Sequence, residues 1–155
     1  MKDNVILEVK NVEKFFYGNK KLFQKDRPVV KAVNDVSFTI NEGETFGIVG
    51  ESGCGKSTLG RTVIRLLNPT SGQVLYKGTD LATLSGEEMR KLRQEIQIIF
   101  QDPFSSLNPR YTVFELIASP LHTFHLCHGK AEVEKKVFEL MDTVGLARRF
   151  AYSYP

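Results

Sequence analysis

Residues 50–57 combine glycines, a lysine and a hydroxyl at a spacing suited to binding phosphate. They are, in order, Gly50, Glu51, Ser52, Gly53, Cys54, Gly55, Lys56 and Ser57, which match the pattern G-x-x-x-x-G-K-[ST]. The glycines permit turns that aim backbone N–H groups at a polyanion, and a helix starting near Gly55 adds its positive dipole end. Lys56 is suited to the β- and γ-phosphates, and the Ser57 hydroxyl to Mg²⁺. The loop therefore predicts binding of a nucleoside triphosphate, with ATP and Mg²⁺ as the expected ligands. This interpretation is favoured over the alternative, a glycine-rich turn that binds no ligand.

The segments on both sides of this loop support the prediction. Residues 45–49 are continuously apolar after Thr45, which is typical of a strand buried on both faces. From about Gly55 the apolar positions follow a helical period, and Asn68-Pro69 is expected to end that helix. A strand, a glycine-rich loop and an amphipathic helix in this order form the context in which the motif binds phosphate.

The rest of the chain mixes strand-like and helix-like patterns, which predicts an α/β fold. Strands are predicted at residues 5–9, 36–40, 45–49 and 96–100, and residues 73–80 are predicted to form a short strand followed by a turn at Lys77-Gly78. Helices are predicted after Gly55, after the capping box of Ser85 and Glu88, at 111–121 with an interruption at Pro120, and at 130–144. Residues 17–30 and 102–110 are predicted to be loops, because they are rich in charged, glycine, proline or small polar residues.

Composition narrows the class of protein. The chain has 155 residues, a net charge of +3 and 41% hydrophobic residues, which suits a single globular domain and gives no argument for nucleic acid. No apolar stretch approaches the roughly 20 residues that a membrane helix needs. Two cysteines are too few for a disulfide framework, so a reducing compartment is expected.

The cysteines and histidines offer weaker candidates for chemistry. Cys54 lies inside the loop, where a helix dipole could lower its pKa, but a small side chain tolerated at a variable position is the favoured interpretation. His122, His125, Cys127 and His128 could ligate zinc, yet all four fall within seven residues and match no finger spacing. Surface positions are therefore favoured over a metal site.

Longer stretches of the sequence resemble ABC-type ATPase subunits. Residues 33–45 leading into the loop carry this resemblance, as do residues 69–74 with Gly78 and Asp80. Residues 98–110, which read IIFQDPFSSLNPR, resemble the Q-loop region of the ATP-binding subunits of oligopeptide and dipeptide importers. The resemblance covers essentially the whole chain.

This resemblance implies an α/β fold of the P-loop NTPase class and the ABC type. It implies that residues 1–155 form a partial ATP-binding domain, with an N-terminal β subdomain and the start of the RecA-like core. About 1–110 would hold the β subdomain and the P-loop core with the Q-loop, and about 111–155 the start of the helical subdomain.

The resemblance also assigns roles to residues outside the loop. Gln101 matches the Q-loop glutamine, which contacts Mg²⁺ or the attacking water, so Lys56 and Gln101 are the catalytic candidates, and Ser57 and Gln101 the metal candidates. Phe16 matches the aromatic residue that stacks on adenine, although Phe15 and Tyr17 lie close enough to leave the register open. Thr58 matches a position that contacts the α-phosphate.

By the same resemblance, the expected function is that of an ATP-binding subunit that couples ATP hydrolysis to import of peptides or a related solute. The expected partners are transmembrane permease subunits, a second ATP-binding subunit and, indirectly, a solute-binding protein. Its location would then be peripheral, on the cytoplasmic face of the membrane. A soluble ABC-type ATPase acting on DNA or ribosomes is the alternative from another class.

The signature motif and the catalytic glutamate of the family have no matching positions in these 155 residues. Phosphoryl transfer to water requires a residue that positions the water as well as a phosphate cradle. We therefore expect a truncated fragment with weak nucleotide binding and no appreciable hydrolysis. A catalytically inactive nucleotide-binding remnant stays open as an alternative function.

Overall fold

The computed structural model describes residues 4–18, 28–102 and 106–155. The chain forms two compact units, Met1–Arg90 and Lys91–Pro155. The division of the family domain near residue 110 stays a prediction. The two compact units reflect where residues contact one another most densely, and they do not define the subdomains of the family. Most of the predicted loop at 17–30, and Pro103, Phe104 and Ser105 of the predicted Q-loop region, lie outside the described residues.

A four-stranded antiparallel sheet dominates the first unit. Its strands are β1 (Val5–Tyr17), β2 (Val29–Asn41), β3 (Ser71–Tyr76) and β4 (Thr79–Asp80), in the order β2-β1-β3-β4. Both long strands extend well past the predicted 5–9 and 36–40, because they pair with each other from Val5↔Asn41 to Tyr17↔Val29. The chain therefore keeps hydrogen-bonding partners even where the alternation of apolar residues fades.

The pairing of β1 with β2 is irregular in the middle of β1. Asn11 adopts a left-handed backbone with φ of 45°, its N–H donates to Ser37 Oγ at 2.8 Å, and its side-chain amide donates to Asp35 Oδ1 at 2.8 Å. Gly72 in β3 packs against this point, where a Cβ would lie 2.3 Å from the Asn11 carbonyl oxygen. Only glycine fits there, which fixes how β3 meets β1.

Helix α1 (Lys56–Val63) packs on β1 and β2. Its buried face comprises Leu59, Thr62 and Val63. The predicted helix continued to Asn68, but the regular helix ends at Val63 and Arg65 has a left-handed φ of 55°. The capping box of Ser85 and Glu88 is present before α2 (Gly86–Leu92), since the Ser85 N–H donates to Glu88 Oε2 at 2.8 Å and the Glu88 N–H to Ser85 Oγ at 3.3 Å.

Two predicted strands do not form among the described residues. Residues 45–49 and 96–100 carry no strand, and Val49 and Ile99 are 96% and 93% exposed. A strand of this apolar type is stable when neighbouring strands bond to its edges and helices cover both faces of the sheet. No described segment pairs with either stretch, so the prediction was wrong for this structure.

The second unit is built on two helices, α3 (Val113–Thr123) and α4 (Lys130–Thr143). Its core joins Ala118 and Leu121 of α3 to Val133, Val137 and Met141 of α4, with Ala151 from the C-terminal segment. Pro120 does not interrupt α3, because the loss of one intrahelical bond is tolerated where Ala118 and Leu121 bury the adjacent turn.

Hydrogen bonds close the ends of both helices. Thr112 and Glu115 form a complete capping box at the start of α3, and this hydrogen bonding holds the pKa of the Glu115 carboxyl below its ordinary value. After α4, the guanidinium of Arg148 donates to both carboxylate oxygens of Asp142, at 3.2 and 2.5 Å, and lowers the pKa of that carboxyl. None of the helices among residues 4–18, 28–102 and 106–155 is long and apolar enough to span a bilayer.

Candidate nucleotide-binding site

The loop of residues 50–57 joins the exposed segment 45–49 to helix α1. Gly55 is the N-cap of α1, with φ of 99°, and its carbonyl oxygen accepts the Leu59 N–H at 2.8 Å. A Cβ at Gly55 would lie 2.1 Å from the carbonyl oxygen of Ala32 in β2. This position therefore admits only glycine, and the close approach sets the loop directly against the sheet.

The side chain of Lys56 forms hydrogen bonds that close the loop. Its ammonium nitrogen donates to the carbonyl oxygens of Gly50 at 2.7 Å and Glu51 at 2.6 Å, and lies 3.6 Å from Cys54 Sγ. The Cys54 N–H closes a turn on Glu51 O at 3.3 Å. Lys56 thus spans the loop from its last turn to its first residues, and its charge is centred where a polyanion would be held.

The first turn of α1 adds the electrostatics of a helix N-terminus. It contains no acidic residue, so its unpaired N–H groups and positive dipole end are not offset by a carboxylate. Ser57 is exposed, and Thr58 is half-buried with its carbonyl oxygen accepting the Thr62 hydroxyl at 2.8 Å. The arrangement suits a phosphate chain lying across the start of the helix.

A cavity of about 340 Å³ opens beside this loop. Its lining combines β2, the segment before the loop, the loop and α1: Lys31, Ala32, Val33, Asn34, Val36, Ile48, Val49, Cys54, Gly55, Lys56 and Leu59. The pattern of residues 50–57 gave no indication of the β2 wall, because it depends on how the loop packs on a strand about 20 residues earlier in the chain. Within the loop, the requirement for glycine at position 55 reflects this packing against β2.

The three aromatic residues at the end of β1 differ in their surroundings. Phe16 is 42% exposed, with the Lys14 ammonium 5.3 Å from its ring centroid. Phe15 is half-buried under Lys31, whose ammonium lies 5.1 Å from the ring, and Tyr17 is exposed. None of the three lines the cavity beside the loop.

Gln101 is exposed and lies in the second compact unit. Its assignment as a metal and catalytic residue stays a prediction, as do the phosphate, metal and adenine assignments in the first unit. The histidine and cysteine cluster shows no metal geometry: in the part of the chain that the structure describes, no three His, Cys, Asp or Glu side chains are grouped to hold an ion.

Comparison with known proteins places this geometry in context. The family model described as ABC transporter matches residues 33–153. The chain is 53% identical over 151 residues to the oligopeptide transport ATP-binding protein AppF of Bacillus subtilis (strain 168), covering 97% of this chain and 46% of that protein. It is 45% identical to the oligopeptide transport ATP-binding protein OppF of the same organism, with 97% and 47% coverage. The chain thus spans about half the length of the curated relatives that it matches.

A solved structure agrees with the sequence comparison. The dimeric structure of a post-hydrolysis state of the ATP-binding cassette MJ0796 bound to ADP and Pi superposes with a TM-score of 0.78 at 29% identity, covering 96% of this chain and 61% of that one. The α/β fold of an incomplete ABC ATPase cassette is therefore confirmed. With a family model matched over residues 33–153, a cassette-like fold and a glycine-rich loop closed by Lys56, this chain belongs to the ABC transporter family.

Proposed function

We propose that this chain is the nucleotide-binding part of an ATP-binding subunit that drives import of peptides or a related solute. The observation that carries the proposal is the loop of residues 50–57, with Lys56 bonded to Gly50 and Glu51 and an acid-free helix start behind it. An ammonium group beside the loop and the positive end of a helix dipole support binding of a triphosphate.

In this proposal each residue of the loop has a defined task. Backbone N–H groups of residues 50–57 hold the phosphate oxygens, Lys56 neutralises the β- and γ-phosphates, and Thr58 contacts the α-phosphate. Ser57 would hold Mg²⁺, which neutralises charge on the β- and γ-phosphate oxygens when it is bound. Phe16 would supply a ring for the adenine.

Peptide import as the transport class is supported by the relatives. AppF and OppF are named oligopeptide transport ATP-binding proteins, and both match nearly all of this chain. On this proposal the subunit works with transmembrane permease subunits, a second ATP-binding subunit and, indirectly, a solute-binding protein. It would then be peripheral, on the cytoplasmic face of the membrane. The same relatives disfavour a soluble ATPase acting on DNA or ribosomes, and co-purification with a permease subunit would separate the two classes.

The residues present also favour binding over turnover in these 155 residues. The family is one of ATPases, but no carboxylate here matches its catalytic glutamate. Glu51 occupies a variable position of the loop, and Glu115 is engaged in a helix cap. We therefore propose nucleotide binding without appreciable hydrolysis.

Replacing Lys56 by alanine tests this function. Binding of ATP with Mg²⁺, measured by titration calorimetry, should weaken by about ten- to a hundred-fold, because a charge-assisted bond to phosphate is lost. Lys10→Ala is the matched control, since Lys10 is an exposed lysine of β1 that pairs with Glu8 at 3.0 Å, and it should bind ATP normally.

Two further readouts complete that experiment. Thermal unfolding of both variants without nucleotide shows whether the loss at Lys56 reflects binding or folding. A phosphate-release assay on the unmodified chain should show no turnover above background. Equal ATP affinity of the Lys56→Ala and unmodified chains would refute the proposed site, and turnover that disappears in Lys56→Ala would refute the absence of hydrolysis.

A further inference from the structure

Lys14 connects the aromatic end of β1 to the chain just beyond α1. Its ammonium nitrogen donates to the carbonyl oxygen of Asn68 at 2.7 Å and lies 5.3 Å from the centroid of the Phe16 ring. Asn68 follows α1, the helix that begins at the loop of residues 50–57. One side chain thus contacts both the ring at the end of β1 and the segment between α1 and β3.

The geometry separates Phe16 from its neighbours. The Lys14 ammonium lies 5.3 Å from the centroid of the Phe16 ring, whereas the ring of Phe15 is contacted by a different lysine, Lys31, at 5.1 Å. The bond from Lys14 to Asn68 brings the Lys14 ammonium to the segment between α1 and β3. Phe16 is therefore an exposed ring in contact with a lysine that is tied to this segment.

Backbone bonds already hold the end of β1 in place without the Lys14 side chain. The Thr70 N–H donates to the Glu13 carbonyl oxygen at 2.7 Å, and the Phe15 N–H donates to Thr70 Oγ1 at 2.9 Å. Removing the Lys14 charge should therefore leave the strand docked. What would change is the ring, because a cation within about 6 Å of an aromatic centroid holds that ring by its quadrupole.

We infer that Lys14 is a positioning residue for nucleotide binding, which fixes the Phe16 ring so that one face stays available to the base. This inference depends on the proposed function. The ammonium is held by the Asn68 carbonyl and stands against one side of the ring, so the ring is oriented before a base arrives. A base then stacks on the opposite side without the cost of ordering an exposed phenyl group.

The test separates base binding from phosphate binding. Lys14→Met keeps an unbranched side chain of nearly the same length but removes its charge, whereas Lys14→Arg keeps a cation. Binding of ATP and of inorganic tripolyphosphate, each with Mg²⁺, is measured for both variants by titration calorimetry. Tripolyphosphate has no base, so it reports on the loop of residues 50–57 alone.

Lys14→Met should weaken ATP binding by about two- to five-fold, the effect of one exposed cation–aromatic contact, and leave tripolyphosphate binding unchanged. Lys14→Arg should restore ATP binding. In a Phe16→Ala background, Lys14→Met should have no further effect on ATP. Thr70→Val removes a tether of β1 that does not touch the ring, and it should weaken both ligands equally or neither.

Unchanged or stronger ATP binding in Lys14→Met would overturn the inference, as would equal weakening of ATP and tripolyphosphate. Failure of the proposed function gives a different result: the unmodified chain would bind neither ligand, or Lys56→Ala would bind both as well as the unmodified chain does.

Discussion

The loop of residues 50–57 is adjacent in the chain to residues 45–49, but the two segments depend on different interactions. Residues 50–57 are shaped by bonds that span at most six positions, from Lys56 to Gly50 and Glu51 and from Cys54 to Glu51. Residues 45–49 need strands from elsewhere in the chain, and they remain irregular and exposed among the described residues. A phosphate-binding loop can therefore be formed by its own residues, whereas the buried strand before it cannot.

One long-range contact qualifies this difference. Gly55 approaches the carbonyl oxygen of Ala32 so closely that the loop also depends on β2. The loop supplies the local turns, and the antiparallel sheet supplies the surface on which α1 and the loop rest. This dependence is what the largest substitution effect should expose.

Gly55→Ala should have the largest effect. The new Cβ would lie 2.1 Å from Ala32 O, and the backbone φ of 99° is strained for any other residue. We expect ATP binding to fall at least ten-fold and the free energy of unfolding to fall by about 2–4 kcal/mol. Titration calorimetry and urea unfolding monitored by circular dichroism would measure the two changes.

Gly78→Ala is the matched control for Gly55→Ala. Gly78 has a φ of 79°, but a Cβ there would contact nothing within 4 Å. It should therefore cost only the backbone strain, about 1–2 kcal/mol, and leave ATP binding unchanged. If the two variants lost equal stability and bound ATP equally well, the packing of the loop against β2 would be unimportant.

The success of sequence reasoning follows the same division. The loop, the capping box of Ser85 and Glu88 and the helix near 130–144 were predicted because their signals lie within a few residues of one another. The capping box of Thr112 and Glu115 carries an equally local signal, T-x-x-E, but was not predicted. It could have placed the start of α3 at Val113 rather than at residue 111.

Features that depend on distant residues were not predictable in the same way. Pairing between β1 and β2 extends both strands beyond their alternating segments, and no local pattern specifies where such pairing ends. The wall of the cavity formed by β2 arises from packing across about 20 residues of chain. The bond from Lys14 to Asn68 joins residues 54 positions apart, so it leaves no periodic trace in the sequence.

Thr112→Ala should have an intermediate effect, because it removes part of a helix cap rather than disturbing tightly packed atoms. Thr112 Oγ1 accepts the Glu115 N–H at 3.3 Å, and Glu115 Oε2 accepts the Thr112 N–H at 2.8 Å. Loss of the cap should cost about 1 kcal/mol of the free energy of unfolding, measured by urea denaturation. Ser119→Ala, at an exposed position within the same helix, is the control and should cost less.

The pH dependence of Thr112→Ala provides a second readout. The pKa of Glu115 is held below 4.5, first by the bond from the Thr112 backbone and then by the one from its hydroxyl. A carboxyl with a lowered pKa stabilises the fold above its unfolded pKa, and that stabilisation is lost as the pH falls through the folded pKa. The difference in stability between Thr112→Ala and the unmodified chain should therefore shrink below about pH 4.5. A difference that stays constant down to pH 3 would mean that the Thr112 hydroxyl does not stabilise the charged form of the Glu115 carboxyl.

Val49→Ser should have the smallest effect, and it tests directly whether the segment before the loop is held by packing. Val49 is 96% exposed, so its methyl groups contribute little to folding, and the free energy of unfolding should change by less than about 0.5 kcal/mol. Val12→Ser makes the same substitution at a position that is 0% exposed, and it should cost at least about 2 kcal/mol. Similar losses in the two variants, measured by urea unfolding, would mean that residues 45–49 are buried in solution. The segment would then be a strand after all, and the contrast with the loop of residues 50–57 would no longer hold.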